Sequence, residues 1–283
     1  MVSLSGLFRI VRPVNSVMMG FAVLVGAAIG GGSLLPSSLQ ELALAFLVGF
    51  FLSGSAMAVN DYYDREIDAI NEPGRPIPSG AVSPGEALVV TGVFSVLGLG
   101  LAGLTSVGSL AIAVLAWGGM MVYSTVGKRT GLMGNLIVSG CIALPFVYGG
   151  FIGGEAGLSH SLLFALVAFL ANTGREVTKG IVDVEGDRAS GVMTVAVSRG
   201  TATAAWVSAV CYASAVLVSV VPIYLGLVSF WYLPFVAVTD LGLIYLSVSL
   251  LKEPSRENSR TVKNRVLPLM LSGLFGFLFG SLL

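Results

Sequence analysis

Charge is what this sequence has least of. Asp, Glu, Lys and Arg make up 11% of its 283 residues, against about 25% in an ordinary soluble domain. Together with 55% hydrophobic residues and a mean hydropathy of +0.91, this excludes a water-soluble fold and makes the chain an integral membrane protein. Histidine occurs once, as His160, and cysteine twice, as Cys141 and Cys211, both within apolar runs. So few ligands exclude a Cys/His metal site and a disulfide framework, and both cysteines read as packing residues. The fifteen basic residues balance fifteen acidic ones, so no net charge recommends nucleic acid as a partner. No segment is left over for a separate soluble domain.

Long apolar runs are present instead. A membrane-spanning helix needs about 20 mostly apolar residues. Segments of that kind lie near 14–34, 41–62, 86–105, 107–126, 132–152, 160–181, 202–222, 228–250 and 265–283. The first follows Arg9 and Arg12 as a signal peptide would, but its length and polar Arg-Pro-Val-Asn start favour a spanning helix. The expected fold is therefore a single all-α bundle of nine transmembrane helices. Ser83-Pro84-Gly85-Glu86 predicts a capping box at the start of the third.

The basic residues test the topology. All fifteen fall before span one, or at or between the facing ends of spans two and three, four and five, six and seven, or eight and nine. The alternate connections have none. By the positive-inside rule, the N-terminus is expected in the cytoplasm and the C-terminus outside. The protein then resides in the cell (cytoplasmic) membrane as a multi-pass chain.

One stretch stands out in so apolar a chain. Asn60–Gly80 holds five acidic residues and two arginines, on the expected cytoplasmic side. If the second span continues through it, Asn60, Asp64 and Asp68 fall at i, i+4 and i+8 on one face, with Asp61 at its edge and Glu66 turned away. The end of the sixth span repeats the device with Glu176, Lys179, Asp183 and Asp187. The placement suggests a pseudo-repeat, about 9–128 and 129–252, with the ninth helix added.

Carboxylates so gathered repel one another unless cations sit among them. Mg²⁺ prefers oxygen ligands and commonly takes one or two carboxylates together with substrate phosphates. Two stripes, with Asn60, Asp61, Asp64, Asp68, Asp183 and Asp187 as ligands, could thus hold two or three Mg²⁺ and a diphosphate. Arg65, Arg75, Lys128, Arg175 and Lys179 are the candidate diphosphate contacts, and Asn71–Gly80 a candidate cap. A diphosphate at the mouth of a lipid-embedded bundle implies a hydrophobic tail, and so a polyprenyl diphosphate. Tyr123, Trp117 and Tyr148 are candidates to stabilise an allylic cation; their alternative role is helix packing or an interface belt. Solvated helix ends would explain one acidic stripe, but two with the same spacing on one face are harder to explain so. An ion-coupled transporter is the rival class, but its binding groups would sit near the midplane. His160 and Glu155 read as outer-loop residues. Asp240, inside the eighth span, reads as paired to a neighbouring helix.

At these residues the chain resembles the UbiA superfamily of intramembrane prenyltransferases. The first Asp-rich motif stands complete as Asn60-Asp61-Tyr62-Tyr63-Asp64-Arg65-Glu66-Ile67-Asp68, and the second as Asp183-Val184-Glu185-Gly186-Asp187. Gly180 stands where the longer form of the second motif has Asp. Arg12-Pro13, Arg75-Pro76-Ile77-Pro78-Ser79-Gly80 and Tyr123-Ser124 extend the likeness over almost the whole chain. The resemblance implies Mg²⁺ dependence and prenyl transfer to an acceptor, with Asp64, Asp68 and Asp183 central to catalysis. Gly131–Asn135 and Asn172–Lys179 look most like the archaeal ether-lipid branch, which moves a geranylgeranyl group onto the hydroxyl of geranylgeranylglyceryl phosphate. That acceptor's phosphate needs its own cation, for which Arg9, Arg12 and Arg129 are candidates, with Lys128 and Arg175 also available. Asp68 is a candidate base for the hydroxyl, or a metal ligand only. An aromatic acceptor, as in quinone or pigment synthesis, is the alternative.

Overall fold

The computed structural model describes residues 4–31, 39–152 and 155–283. Its helices, in order, are α1 (Leu4–Ile10), α2 (Pro13–Gly31), α3 (Leu39–Asn71), α4 (Pro84–Gly103), α5 (Val107–Thr125), α6 (Leu132–Ile152), α7 (Glu155–Val182), α8 (Val184–Ala189), α9 (Val195–Arg199), α10 (Thr201–Ser219), α11 (Val221–Tyr224), α12 (Tyr232–Lys252) and α13 (Arg256–Leu282). A 3₁₀ turn at Gly127–Thr130 links α5 to α6. No strand occurs among the described residues. Eight helices are each long and apolar enough to cross a membrane, and α1 with α2, bent by 43°, makes a ninth candidate span.

The spans close into a ring. Each of α2, α3, α4, α5, α6, α7, α10, α12 and α13 packs on the next, and α13 returns to α2. Further contacts of α2 with α6 and α7, and of α13 with α7, cross the ring. Outward faces are apolar: Val89, Val93 and Val96 of α4 are all exposed. In water that would be a liability, but lipid solvates them without penalty.

Local signals set the helix ends. Ser83 Oγ accepts from the Glu86 N–H while the Glu86 carboxylate accepts from the Ser83 N–H, closing the expected capping box. Ser106 caps α5 with a single bond, its Oγ accepting from the Ser109 N–H. Two boundaries differ from the hydropathy reading. α13 begins at Arg256 rather than near 265, because Ser255 caps it and polar residues propagate a helix as well as apolar ones do. α7 begins at Glu155, so His160 lies in a helix rather than a loop. Hydropathy locates the lipid boundary, not the helix end.

Helix packing here rests on close backbone approach. A Cβ on Gly149 of α6 would collide with the Val23 carbonyl oxygen and lie 2.6 Å from the Ala27 nitrogen of α2. A Cβ on Gly26 would meet the Phe146 carbonyl in turn. Small residues of this kind let membrane helices meet where no hydrophobic effect drives them together. At the end of the bundle remote from the Asp-rich motifs, Phe164, Phe277 and Tyr232 form an aromatic plug, with the Phe164 and Phe277 centroids 4.7 Å apart. Asp240 of α12 accepts from Ser219 Oγ of α10 at 2.7 Å, the pairing expected of a lone carboxylate within a span. Gly149→Val should destabilise the bundle by about 1–3 kcal/mol through overpacking. Thermal melting in detergent checks this; an unchanged midpoint would mean that α2 and α6 do not cross so closely.

Candidate active site

The helix α3 continues well past its apolar part, and its last turns carry the first motif. Asn60, Asp61, Asp64 and Asp68 are all buried, with Asp61 only 1% exposed, whereas Glu66 points out. Asn71 falls on the same stripe, eleven residues after Asn60, and is buried too. The second motif departs from a simple continuation. α7 ends at Val182, Asp183 occupies the junction, and α8 starts at Val184. A bond from the Asp187 N–H to the Asp183 carbonyl spans the break at 2.9 Å. Asp187 is thereby buried while Glu185 stays exposed.

The two motifs meet at one joint. Asn71 Nδ2 donates to the Asp183 carbonyl at 3.4 Å, and Gly186 packs directly on the Asn71 side chain, where an added Cβ would sit 2.6 Å from Asn71 Oδ1. Glycine is the residue that lets α8 approach α3 so closely. Asn71 was not singled out from the sequence, although its place on the Asn60–Asp64–Asp68 stripe was the signal for it.

Cations neutralise the first motif. Arg12 bonds to Asp61. Arg75 bridges Asp68 at 2.6 Å and Asp61 at 3.4 Å. Lys128 reaches Asp64 at 2.6 Å, and Asn60 Nδ2 donates to the same Asp64 oxygen at 2.8 Å. Arg12 holds a left-handed backbone, with φ of 44°, which is uncommon outside glycine. It sits at the bend between α1 and α2, just before Pro13, and the Asp61 contact helps to fix it there. Arg75 comes from the loop after α3, so that loop folds back over the cluster. The charge of Asp68 and Asp61 raises the Arg75 pKa despite its burial. Burial pushes the Asp187 carboxyl up to about 7.

Other predicted residues lie elsewhere. Arg65 turns outward, stacked 4.9 Å over Tyr62 and beside Glu66, away from the carboxylate cluster. Arg175 and Lys179 both pair with buried Glu176, at 3.2 Å each. Arg9 is exposed and donates to the Gly74 carbonyl, and Arg129 is exposed on the 3₁₀ turn. From α13, Arg260 and Lys263 reach Glu72, at 3.3 and 3.9 Å. Sequence reading placed these two in a basic connection and assigned them no role.

Below this mouth opens a cavity of about 240 Å³. Asn60, Arg12, Arg75, Arg175, Lys179 and Lys263 rim it, and its depths are apolar. Met18, Met19, Met57, Met120, Met121 and Met270 line it, six of the nine methionines in the chain. Flexible thioethers form an adaptable wall suited to a floppy hydrocarbon. The three aromatic candidates all line the cavity but at different depths. Tyr123 is buried within electrostatic reach of Asp64, Glu176, Lys179 and Asp187. Trp117, about 9 Å further along α5, donates to Ser95 Oγ. Tyr148 bonds Thr105 at the remote turn between α4 and α5. Only Tyr123 adjoins the charged groups; the other two are walls of the apolar part.

Among the described residues, no three carboxylate, histidine or cysteine side chains converge as a ready-made metal cage. The donor set nevertheless fits divalent cations. It is all oxygen apart from the Asn60 amide nitrogen, and Asp61 Oδ2 is buried without any partner, a state that a buried carboxylate oxygen does not adopt cheaply.

A family model described as the UbiA prenyltransferase family matches residues 19–274. The chain belongs to that family. Its relatives include the digeranylgeranylglyceryl phosphate synthases of Natronomonas pharaonis, 38% identical over 81% of each chain, and of Thermococcus kodakarensis, 33% identical over 97% of each. A solved structure described as digeranylgeranylglyceryl phosphate synthase in membranes superposes with a TM-score of 0.76 at 28% identity, covering 99% of this chain and 98% of that one. A UbiA homologue from Archaeoglobus fulgidus, solved with DMAPP and Mg²⁺, shares the fold at a TM-score of 0.68 and 20% identity, covering 98% and 99%. The protein is thus a multi-pass membrane prenyltransferase. Gly186→Val should push α8 off Asn71 and cut prenyl transfer by about 100-fold, the effect of roughly an ångström of misplacement. Turnover at saturating donor checks this; near wild-type turnover would mean that the joint does not set the spacing of the motifs.

Proposed function

We propose that the protein transfers a geranylgeranyl group from its diphosphate to the hydroxyl of geranylgeranylglyceryl phosphate, the step that forms the second ether bond of an archaeal membrane lipid. The observation carrying this reading is the juxtaposition of two Asp-rich motifs with a methionine-lined apolar cavity, in a chain whose nearly full-length relatives are named for that synthase. The cationic mouth faces the cytoplasm of the cell membrane, on the positive-inside argument. Two four-span halves, about 9–128 and 129–252, place one motif each.

Asn60, Asp61, Asp64 and Asp68 on one side, and Asp183 and Asp187 on the other, would hold two or three Mg²⁺. When bound, Mg²⁺ neutralises the diphosphate and eases its departure. In the free protein Arg75 and Lys128 occupy the carboxylates instead. As donor enters, these two side chains turn to its phosphate oxygens and leave Asp64 and Asp68, while Arg12 keeps Asp61. The prenyl tail lies in the apolar cavity, which excludes water that would quench an allylic cation. Tyr123 offers its ring to that cation. The bond to diphosphate breaks first and leaves the allylic cation; the acceptor's hydroxyl oxygen then bonds to that carbon while Asp68, freed of Arg75, takes the proton it loses. Arg75 and the rest of the loop Asn71–Gly80 cover the leaving group.

Asp64→Ala and Asp183→Ala should each lower transfer by more than about 1000-fold, as expected for lost electrostatic stabilisation, while insertion and melting persist. EDTA should silence the enzyme and Mg²⁺ restore it. Near wild-type turnover in either variant, or turnover without divalent metal, would sink the mechanism. The acceptor is decided by product analysis with geranylgeranyl diphosphate and three acceptors: geranylgeranylglyceryl phosphate, 4-hydroxybenzoate and a naphthoate. Product is expected with the first; product only with an aromatic acceptor would overturn the assignment.

A further inference from the structure

The donor does not account for every cation at the cavity mouth. Arg12, Arg75 and Lys128 are each bonded to a carboxylate of the first motif. Arg9 and Arg129, candidates for the acceptor's phosphate, lie outside the cavity lining. Arg175 and Lys179 of α7 and Lys263 of α13 also line the cavity, and Lys263 lies within electrostatic reach of the other two.

These three cations are under-partnered. Arg175 and Lys179 share one carboxylate, Glu176. Arg175 Nε is buried and donates to nothing. Lys263, 14% exposed, has Glu72 at 3.9 Å, beyond hydrogen-bond range, through an oxygen that Arg260 also takes. Asp183 is the other carboxylate within its electrostatic reach. A largely buried ammonium without a close counter-ion is unfavourable, and unused N–H donors around it are the elements of an oxyanion site. On the same face of α13, Leu267 and Met270 follow at i+4 and i+7, and both line the apolar cavity. A ligand with an anionic head at Lys263 would therefore lay its hydrocarbon chain down α13.

We propose that Arg175, Lys179 and Lys263 form a phosphate-monoester site for the lipid-like acceptor, separate from the donor diphosphate held by Arg75 and Lys128. The proposal rests on the acceptor reading above. It moves Arg175 and Lys179 from donor to acceptor, replaces Arg9, Arg12 and Arg129 in that role, and adds Lys263. The two anionic heads are then held by different side chains of one mouth, with the donor's allylic carbon and the acceptor's hydroxyl oxygen brought together beside them.

The test is steady-state kinetics of the full chain, with geranylgeranyl diphosphate and two acceptors, geranylgeranylglyceryl phosphate and its dephosphorylated form, geranylgeranylglycerol. Lys263→Met should raise the KM for the phosphorylated acceptor about tenfold or more. It should leave the donor KM, and the rate on geranylgeranylglycerol, unchanged. Lys263→Arg should recover most of the affinity. Glu72→Gln, which removes the tie to α13 but not the cation, should leave the acceptor KM within about twofold. If Lys263→Met fails to fold, Lys179→Gln should carry the same kinetic signature. A rise in donor KM instead would assign the cluster to the diphosphate, and unchanged values for both would remove it from binding. A Glu72→Gln effect equal to Lys263→Met would reduce Lys263 to a structural tie. Each of these overturns the proposal. Failure of the wild-type protein to use the phosphorylated acceptor is a different result, and it would take the acceptor reading down together with this site.

Discussion

Everything at the mouth of this bundle depends on keeping several carboxylates close together in a place with little water. Asp61, Asp64 and Asp68 are each 4% exposed or less, and like charges so placed repel strongly. The free protein meets this with side-chain cations. Arg12 is held at a strained backbone position against Asp61, Arg75 is folded in from a loop, and Lys128 reaches across from the turn between α5 and α6. Three separate parts of the chain are thereby tied to the end of α3. Under the proposed mechanism the same electrostatics would let the site exchange cations, since a diphosphate competes for arginine and lysine while divalent metal competes for carboxylates.

The fold sets the spacing between the two motifs. A ring of helices puts α3 and α7 where their polar ends face each other, and the Asn71–Gly186 contact sets how near α8 comes. Thr178 on α7 bonds Ser208 and Tyr212 of α10, which fixes the second motif's helix from behind. The apolar cavity begins where the charges end, so a ligand with a charged head and a hydrocarbon tail finds both halves of its environment in line.

Much of this was legible beforehand. Nine spans follow from run lengths because lipid enforces a minimum helix length. The stripe of Asn60, Asp64 and Asp68 follows from helical period, and it held because α3 does not break where its hydropathy falls. The second stripe was only partly readable: the helix interrupts at Asp183, yet a backbone bond preserves the i, i+4 relation to Asp187. Arg65 shows the limit. Its place beside Asp64 suggested a diphosphate contact, but helical phase turns it outward onto Tyr62.

The sequence by itself determined that the chain is a membrane bundle, that two acidic motifs lie at one end of it, and that those motifs resemble a prenyltransferase family. Those properties are written in composition and local period, which survive without knowledge of neighbours. The tertiary structure decided which cation meets which carboxylate, that Asn71 joins the motifs, that Tyr123 alone of three aromatics adjoins the charges, and that Lys263 of α13 comes near Arg175 and Lys179 of α7. These depend on contacts between helices far apart in the chain, such as α3 with α8 and α13 with α7. No periodicity within a single helix records them.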